Sequence, residues 1–239
     1  MAAALQACSS VVALPDGTPV VESRTELGLR IYYPPFSSID LRCGTMPSTS
    51  EQDVLFCAEA AFTEALLDDF SHSNIDGNHV CSGVWYEGAP CPETATKVGC
   101  TGGFVWYGGR WEFVYGLDKA EEALLRAADG GGMGFLQEFV LHEGARVPNT
   151  RAEAHDKLHY YRVLAEFGGR LCVIDGTATM LFTEFISRLC ELGVSEALYL
   201  DMGSGWNHSW YRDPSGRAHI IHPWIPKSRY CTNWITFYK

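Results

Sequence analysis

Basic residues are scarce in this sequence. Lys and Arg number 18 against 29 Asp and Glu, a formal net charge of -11. That balance argues against a nucleic-acid partner, which needs a clustered basic face. It does not exclude an anionic substrate, because a pocket can carry its own arginines. No stretch approaches the roughly 20 apolar residues needed to span a bilayer as a helix. Internal repeats, low-complexity tracts and linkers are also missing, so a solenoid or a disordered tail is not the reading. No tight Cys-x-x-Cys pair of the kind that builds structural zinc sites occurs. No metal and no cofactor are expected.

What is present is material for a core. Of 239 residues, 46% are hydrophobic and 13% aromatic, with only 20% charged. The length fits one large domain or two small ones. Nine cysteines is a high and odd number. Cys81, Cys91 and Cys100 lie close together, and one pair among them is able to bridge in an oxidising compartment. Cys172 and Cys190 sit in apolar runs and read as small core residues. Leu5-Gln6-Ala7-Cys8 looks like a lipoprotein processing site, although the basic and apolar regions that should precede it are absent. An extracytoplasmic location is expected, with residues 1–26 as a tail and 27–239 as the domain.

Leu29 to Tyr33 reads as a strand. Ser48-Thr49-Ser50-Glu51 resembles a helix entry, with Phe56, Ala60, Phe62, Leu66 and Leu67 following at near-helical spacing. Phe104 to Tyr115 reads as a hairpin about Gly108-Gly109. A helix is expected over 118–128, a strand over 135–142, and another over 170–175. Phe182 to Leu192 has helical periodicity and stops at Gly193. Ala197 to Leu200 is then a buried strand that delivers Asp201. The segment from His219 onward has no clear assignment. The irregular alternation predicts an α+β (mixed α/β) domain, with one mixed, largely antiparallel sheet flanked by helices.

The chemically informative stretch is Leu200-Asp201-Met202-Gly203-Ser204-Gly205-Trp206. An acidic residue at a strand end, followed by a Gly-Ser-Gly loop, places a carboxylate beside main-chain N–H groups able to form an anion nest. Such a carboxylate acts as general acid or base once its surroundings tune it. Around it the order of motifs is Arg162-Val163-Leu164-Ala165, Cys172-Val173-Ile174-Asp175-Gly176, Phe182-Thr183-Glu184-Phe185 and Leu192-Gly193 through Ser204. Upstream lie Thr101-Gly102-Gly103-Phe104-Val105 and Phe135-Leu136-Gln137-Glu138. In order and residue type this series resembles the catalytic domain of the phosphodiester glycosidases. Thr101 stands where that family usually has Asn, and Asp-Met-Gly replaces Asp-Gly-Gly.

The resemblance implies a hydrolase acting on a sugar-1-phosphodiester, its best-known activity being removal of N-acetylglucosamine from a phosphate linkage. Asp201 would be one carboxylate, with Glu184 or Glu138 the second, since glycoside hydrolysis commonly uses two. Arg162 would hold phosphate with its guanidinium fork. Thr101, Gly102 and Gly103 would line one wall, and Gly203, Ser204 and Trp206 the other. Trp210 and Tyr211, with Trp106, Tyr107 and Trp111, are aromatic candidates for a pyranose face.

Three other readings compete. His155-Asp156-Lys157-Leu158-His159 puts two histidines at i and i+4, but with Asp where a zinc protease needs Glu and no third ligand. His219 and His222 form no stronger a pair. A cysteine hydrolase lacks any accompanying signature. The serious alternative is a carbohydrate-binding or cell-surface module that kept the fold and lost activity.

Overall fold

The computed structural model describes residues 21–64, 69–91, 99–148, 150, 156–202, 208–222 and 232–239. These form seventeen strands in three sheets, numbered in chain order, and two α-helices. The first sheet comprises β1 (Glu22–Glu26), β2 (Leu29–Tyr33), β13 (Arg170–Gly176), β12 (Arg162–Phe167), β14 (Glu196–Tyr199), β10 (Phe139–His142) and β11 (Ala145–Arg146), in that spatial order. The second runs β16 (Ala218–Ile221), β15 (Ser209–Arg212), β4 (Val54–Glu59), β17 (Asn233–Tyr238) and β3 (Ser38–Cys43). The third runs β6 (Val84–Tyr86), β5 (His79–Cys81), β9 (Met133–Gln137), β7 (Gly102–Tyr107) and β8 (Arg110–Tyr115).

The expected single mixed sheet flanked by helices is therefore wrong. The architecture is predominantly antiparallel β, with every pairing between named strands antiparallel. The main source of the error is the stretch 54–62. Every residue in it is buried, so the alternation that marks a strand is erased, and chance spacing imitates a helix. Glu22–Glu26, inside the expected tail, pairs along its length with β2 as an edge strand.

Each sheet turns one face to a shared core. Tyr32, Leu164, Val173 and Leu198 of the first sheet meet Leu41, Phe56, Ile235 and Phe237 of the second, and Phe104 and Phe135 of the third. The helices cover outer faces. α1 (Leu117–Asp129) buries Ala120, Ala123, Leu124 and Ala127 against Val80, Val105 and Leu136. α2 (Phe182–Leu192) buries Phe182, Phe185, Ile186 and Leu189 against Ile31, Val163, Ile174 and Ala197. Both helices fall where their apolar periodicity places them.

Gly193 ends α2 at φ 87°. Its N–H reaches the Cys190 carbonyl at 3.1 Å, and the Val194 N–H reaches Leu189 at 3.1 Å, the two bonds of a Schellman stop. A Cβ there would meet nothing within 4 Å, so the cost of Gly193→Ala is purely conformational. It is expected to be about 1 kcal/mol, a fall of roughly 2–4 °C in melting temperature, with Gly193→Asn losing less. Thermal melts of the two variants check this.

The cysteines depart from expectation. Among the described residues a disulfide joins Cys43 to Cys81 and so links β3 to β5. Cys91 and Cys100 remain thiols in contact with one another. Cys172 is buried as expected, whereas Cys190 is exposed on α2.

Candidate functional site

Three chain crossings meet at one point in the fold. Gln137 ends β9 in the third sheet, Phe139 begins β10 in the first, and Glu138 is the single residue between them. Ala60 and Ala61 follow β4 of the second sheet, and Asp201 follows β14 of the first with Leu200 between them. The Ala60 carbonyl accepts the Asp201 N–H at 3.0 Å and the Gln137 side-chain amide at 3.2 Å. Gln137 Oε1 accepts the Glu138 N–H at 2.8 Å, and the Glu138 carbonyl accepts the Tyr199 N–H at 2.9 Å. Asn233, at the start of β17, clamps Ala61 through its side-chain amide, accepting at 2.7 Å and donating at 3.1 Å. Strand ends normally leave backbone groups to solvent; here side-chain amides satisfy them inside.

Charge is buried at the same junction. Arg162 and Glu59 are fully buried and Asp175 nearly so. The guanidinium donates to both Asp175 oxygens, at 2.6 and 3.0 Å, to Glu59 Oε2 at 2.9 Å, and to Ser209 Oγ. Ser209 Oγ–H in turn donates to Glu59 Oε2. Burial opposes the charge on Arg162, but Asp175 and Glu59 outweigh it and hold its pKa above the ordinary value. Glu59 behaves oppositely. Burial pushes its carboxyl up to about 7 against the pull of Arg162 and Ser209, and the neighbouring Asp201 adds to the rise. Its Oε1 has no hydrogen-bond partner among the described residues.

This has a measurable consequence. Between about pH 4.5 and 7 the unfolded chain releases the Glu59 proton while the folded chain keeps it. Folding then takes up a proton, so stability from this group falls as pH rises through that window. Urea titrations from pH 4 to 8 are expected to show wild type losing ground to Glu59→Gln across the window. A constant difference between the two would mean that the carboxyl titrates normally.

The sequence-derived candidates divide into three groups. Asp201 and Glu138 are buried at the junction together with Arg162. Thr101 joins them through its Oγ1, which accepts the Phe139 N–H at 2.8 Å, and through its N–H to the Gln137 carbonyl at 3.1 Å. Gly102 and Gly103 begin β7. An added Cβ would lie 2.2 Å from the Val114 carbonyl oxygen at Gly102 and 2.7 Å from that of Phe135 at Gly103. Strand packing alone therefore requires these glycines. Glu184 stands apart in the first turn of α2, half exposed and paired with Arg188, which also bonds the Leu27 carbonyl. Gly203, Ser204 and Trp206 lie outside the described residues, as does His155.

Arg162 has four of its five N–H donors committed to protein acceptors. The fork that the family resemblance assigns to phosphate is turned onto Asp175. Trp210 is fully buried, its Nε1–H donating to the Pro47 carbonyl at 3.2 Å. Tyr211 stacks on His219, which pairs with Asp213. His159 Nε2 sits 2.8 Å from the Met202 carbonyl.

Glu59, Ser209 and Asn233 were missed from sequence. One signal was available for Asp175. Arg162 and Asp175 each lie six residues from the Gly168-Gly169 turn, so a hairpin puts them opposite one another, as their register confirms.

No family model and no curated protein matches the chain. Among solved structures, the zebrafish N-acetylglucosamine-1-phosphodiester alpha-N-acetylglucosaminidase catalytic domain, auto-inhibited by its pro-peptide, is similar at TM-score 0.58 and 12% identity. The match covers 96% of this chain and 87% of that one. The fold is similar to a phosphodiester glycosidase catalytic domain. At so low an identity the likeness speaks for the fold alone.

Proposed function

We propose that the protein is a hydrolase that cleaves the glycosidic bond of a sugar-1-phosphodiester. The observation that carries this reading is the gathering of buried acids, Asp201 and Glu138 beside Glu59, at a junction organised by Arg162 on a glycosidase-like fold. Carboxylates in unlike surroundings are how such sites separate acid from base. Asp201 is the carboxylate that meets the anomeric centre or the attacking water, and Glu138 is its partner. Water supplies the oxygen for the new C1–O bond. The old C1–O bond leaves with its electron pair as a phosphomonoester, which needs little protonation.

Arg162 holds Glu59 and Asp175 in place, and so acts through them. Gly203, Ser204 and Trp206, which follow Asp201 in the sequence, bind phosphate and sugar together with Thr101. An extracytoplasmic location goes with this substrate class, and the Cys43–Cys81 disulfide supports it.

The test is a panel of UDP-sugars and sugar-1-phosphodiesters with detection of released sugar, run on wild type and Asp201→Asn. Turnover in wild type that the variant loses is the expected result. Sugar binding without turnover by any member would overturn the hydrolase and leave the binding module.

A further inference from the structure

Where the second and third sheets meet lies a second group of reactive side chains, none of them among the acids described above. His79 and Cys81 are i and i+2 on β5 and so share one face of that strand. Cys43 closes β3 opposite them, and His72 lies in the short 3₁₀ turn His72–Asn74. Cys43 Sγ, Cys81 Sγ and one ring nitrogen from each histidine all lie within 4.8 Å of one another. His79 is fully buried and Cys81 nearly so, while Cys43 and His72 are half-buried.

The rings are oriented by their neighbours. His79 Nδ1 lies 3.2 Å from the Gly77 carbonyl, an oxygen that only accepts. Nδ1 therefore carries the proton, and Nε2 presents its lone pair to the cluster. Ligating histidines are fixed in this way, with the other ring nitrogen donating to a carbonyl. His72 Nδ1 lies 2.8 Å from that Nε2, and its ring is stacked on Tyr86 with centroids 3.4 Å apart. Two imidazoles aimed nitrogen to nitrogen, beside two cysteine sulfurs, make a Cys2His2 donor set. That set suits tetrahedral Zn2+.

We propose that Cys43, His72, His79 and Cys81 form a zinc-binding site when the Cys43–Cys81 pair is in its dithiol form. The disulfide is two electrons more oxidised than the ligand form. A dithiol supplies those electrons by exchange and becomes a disulfide itself. Each cysteine then gives its thiol proton to solvent as its sulfur takes the metal. Zn–S bonds of about 2.3 Å and Zn–N bonds of about 2.0 Å put tetrahedral donors roughly 3.3–3.8 Å apart. The present cluster reaches that arrangement by parting the two sulfurs and turning His72. The same two sheets are thus tied by a covalent bond in an oxidising compartment and by a metal in a reducing one. Spacing rules miss the site because its ligands come from β3, a 3₁₀ turn and β5.

The experiment uses the full chain, reduced with a phosphine that becomes its oxide, stripped of metal by a chelator and exchanged into clean buffer. Zn2+ uptake is measured by competition with a chromophoric chelator, and the site is probed with Co2+. One Zn2+ per reduced chain is expected, with none on the oxidised chain. Co2+ should give tetrahedral d–d bands and thiolate charge transfer. Cys43→Ser and His79→Gln should each weaken Zn2+ binding by at least ~100-fold, more than loss of an outer partner does. Cys190→Ser, on the exposed face of α2, should bind as wild type does.

A reduced chain that stays folded by circular dichroism and takes up no Zn2+ overturns the proposal. Undiminished binding by the oxidised chain or by His79→Gln does the same. If reduction unfolds the chain, Zn2+ is expected to restore its spectrum, and failure to restore it also counts against the site.

Discussion

Replacing Arg162 with alanine is expected to cost about 3–5 kcal/mol of stability, one of the two largest effects of any single change considered. The magnitude follows from what is left behind. Glu59 is fully buried and the Asp175 side chain 7% exposed, and both face the same guanidinium. Without it, the Asp175 carboxylate and the Glu59 carboxyl remain out of water with no cation to bond them, and Asp201 is nearby. Some of the loss is recoverable by neutralising what the arginine held, so Arg162→Ala combined with Asp175→Asn should be more stable than the sum of the single changes. Arg162→Lys should not rescue. An ammonium is a point charge and cannot bond both Asp175 oxygens and Glu59 together. Urea melts read these differences, and thermal melts should show a fall of about 10 °C for the alanine variant. A cost below about 1 kcal/mol would mean that water already enters the junction.

Asp201→Asn is the second large effect, on rate instead of stability. The Asp201 N–H to the Ala60 carbonyl is a main-chain bond and survives the substitution, so the fold should persist. Loss of a general acid or base is commonly worth 10²- to 10⁴-fold, and a reduction of about that size in kcat/KM is expected. A companion signature separates catalysis from mere packing. Asp201 helps raise the Glu59 pKa toward 7, so removing its charge should move that titration to lower pH in any residual activity or stability profile. Glu184→Gln is the contrasting control. Its partner is Arg188 on the half-exposed face of α2, and neither bonds the buried acids, so near wild-type turnover is expected. If Glu184→Gln abolished turnover and Asp201→Asn did not, the proposed site would be misplaced.

The sequence carried local structure better than architecture. α1, α2, its Gly193 stop and the hairpins about Gly108-Gly109 and Gly168-Gly169 were written in periodicity and turn residues, which act within a few positions. The sheets were not, because pairing partners are distant in sequence. β4 pairs with β17 from the far end of the chain, and neither segment alternates, since both are buried on two faces. The same distance hid Glu59, the last residue of an apolar run whose charge makes sense only beside Arg162. Asp201, Glu138 and Arg162 came from ordered motif resemblance, and the junction does gather them. It also engages Arg162 with protein carboxylates, a detail that residue type alone does not specify.

The position of β17 bears on how the chain is made. Asn233–Tyr238 lies between β4 and β3, so the second sheet has no continuous hydrogen-bonded centre until a strand synthesised roughly 170 residues after β4 arrives. During vectorial synthesis, β3 and β4 wait with apolar edges uncovered, and at about 5–20 residues per second that wait lasts on the order of ten seconds or more. The first sheet, complete once β14 has emerged, has no such dependence. The nascent protein should therefore acquire protease resistance in two stages. The later stage arrives only once β17 has emerged.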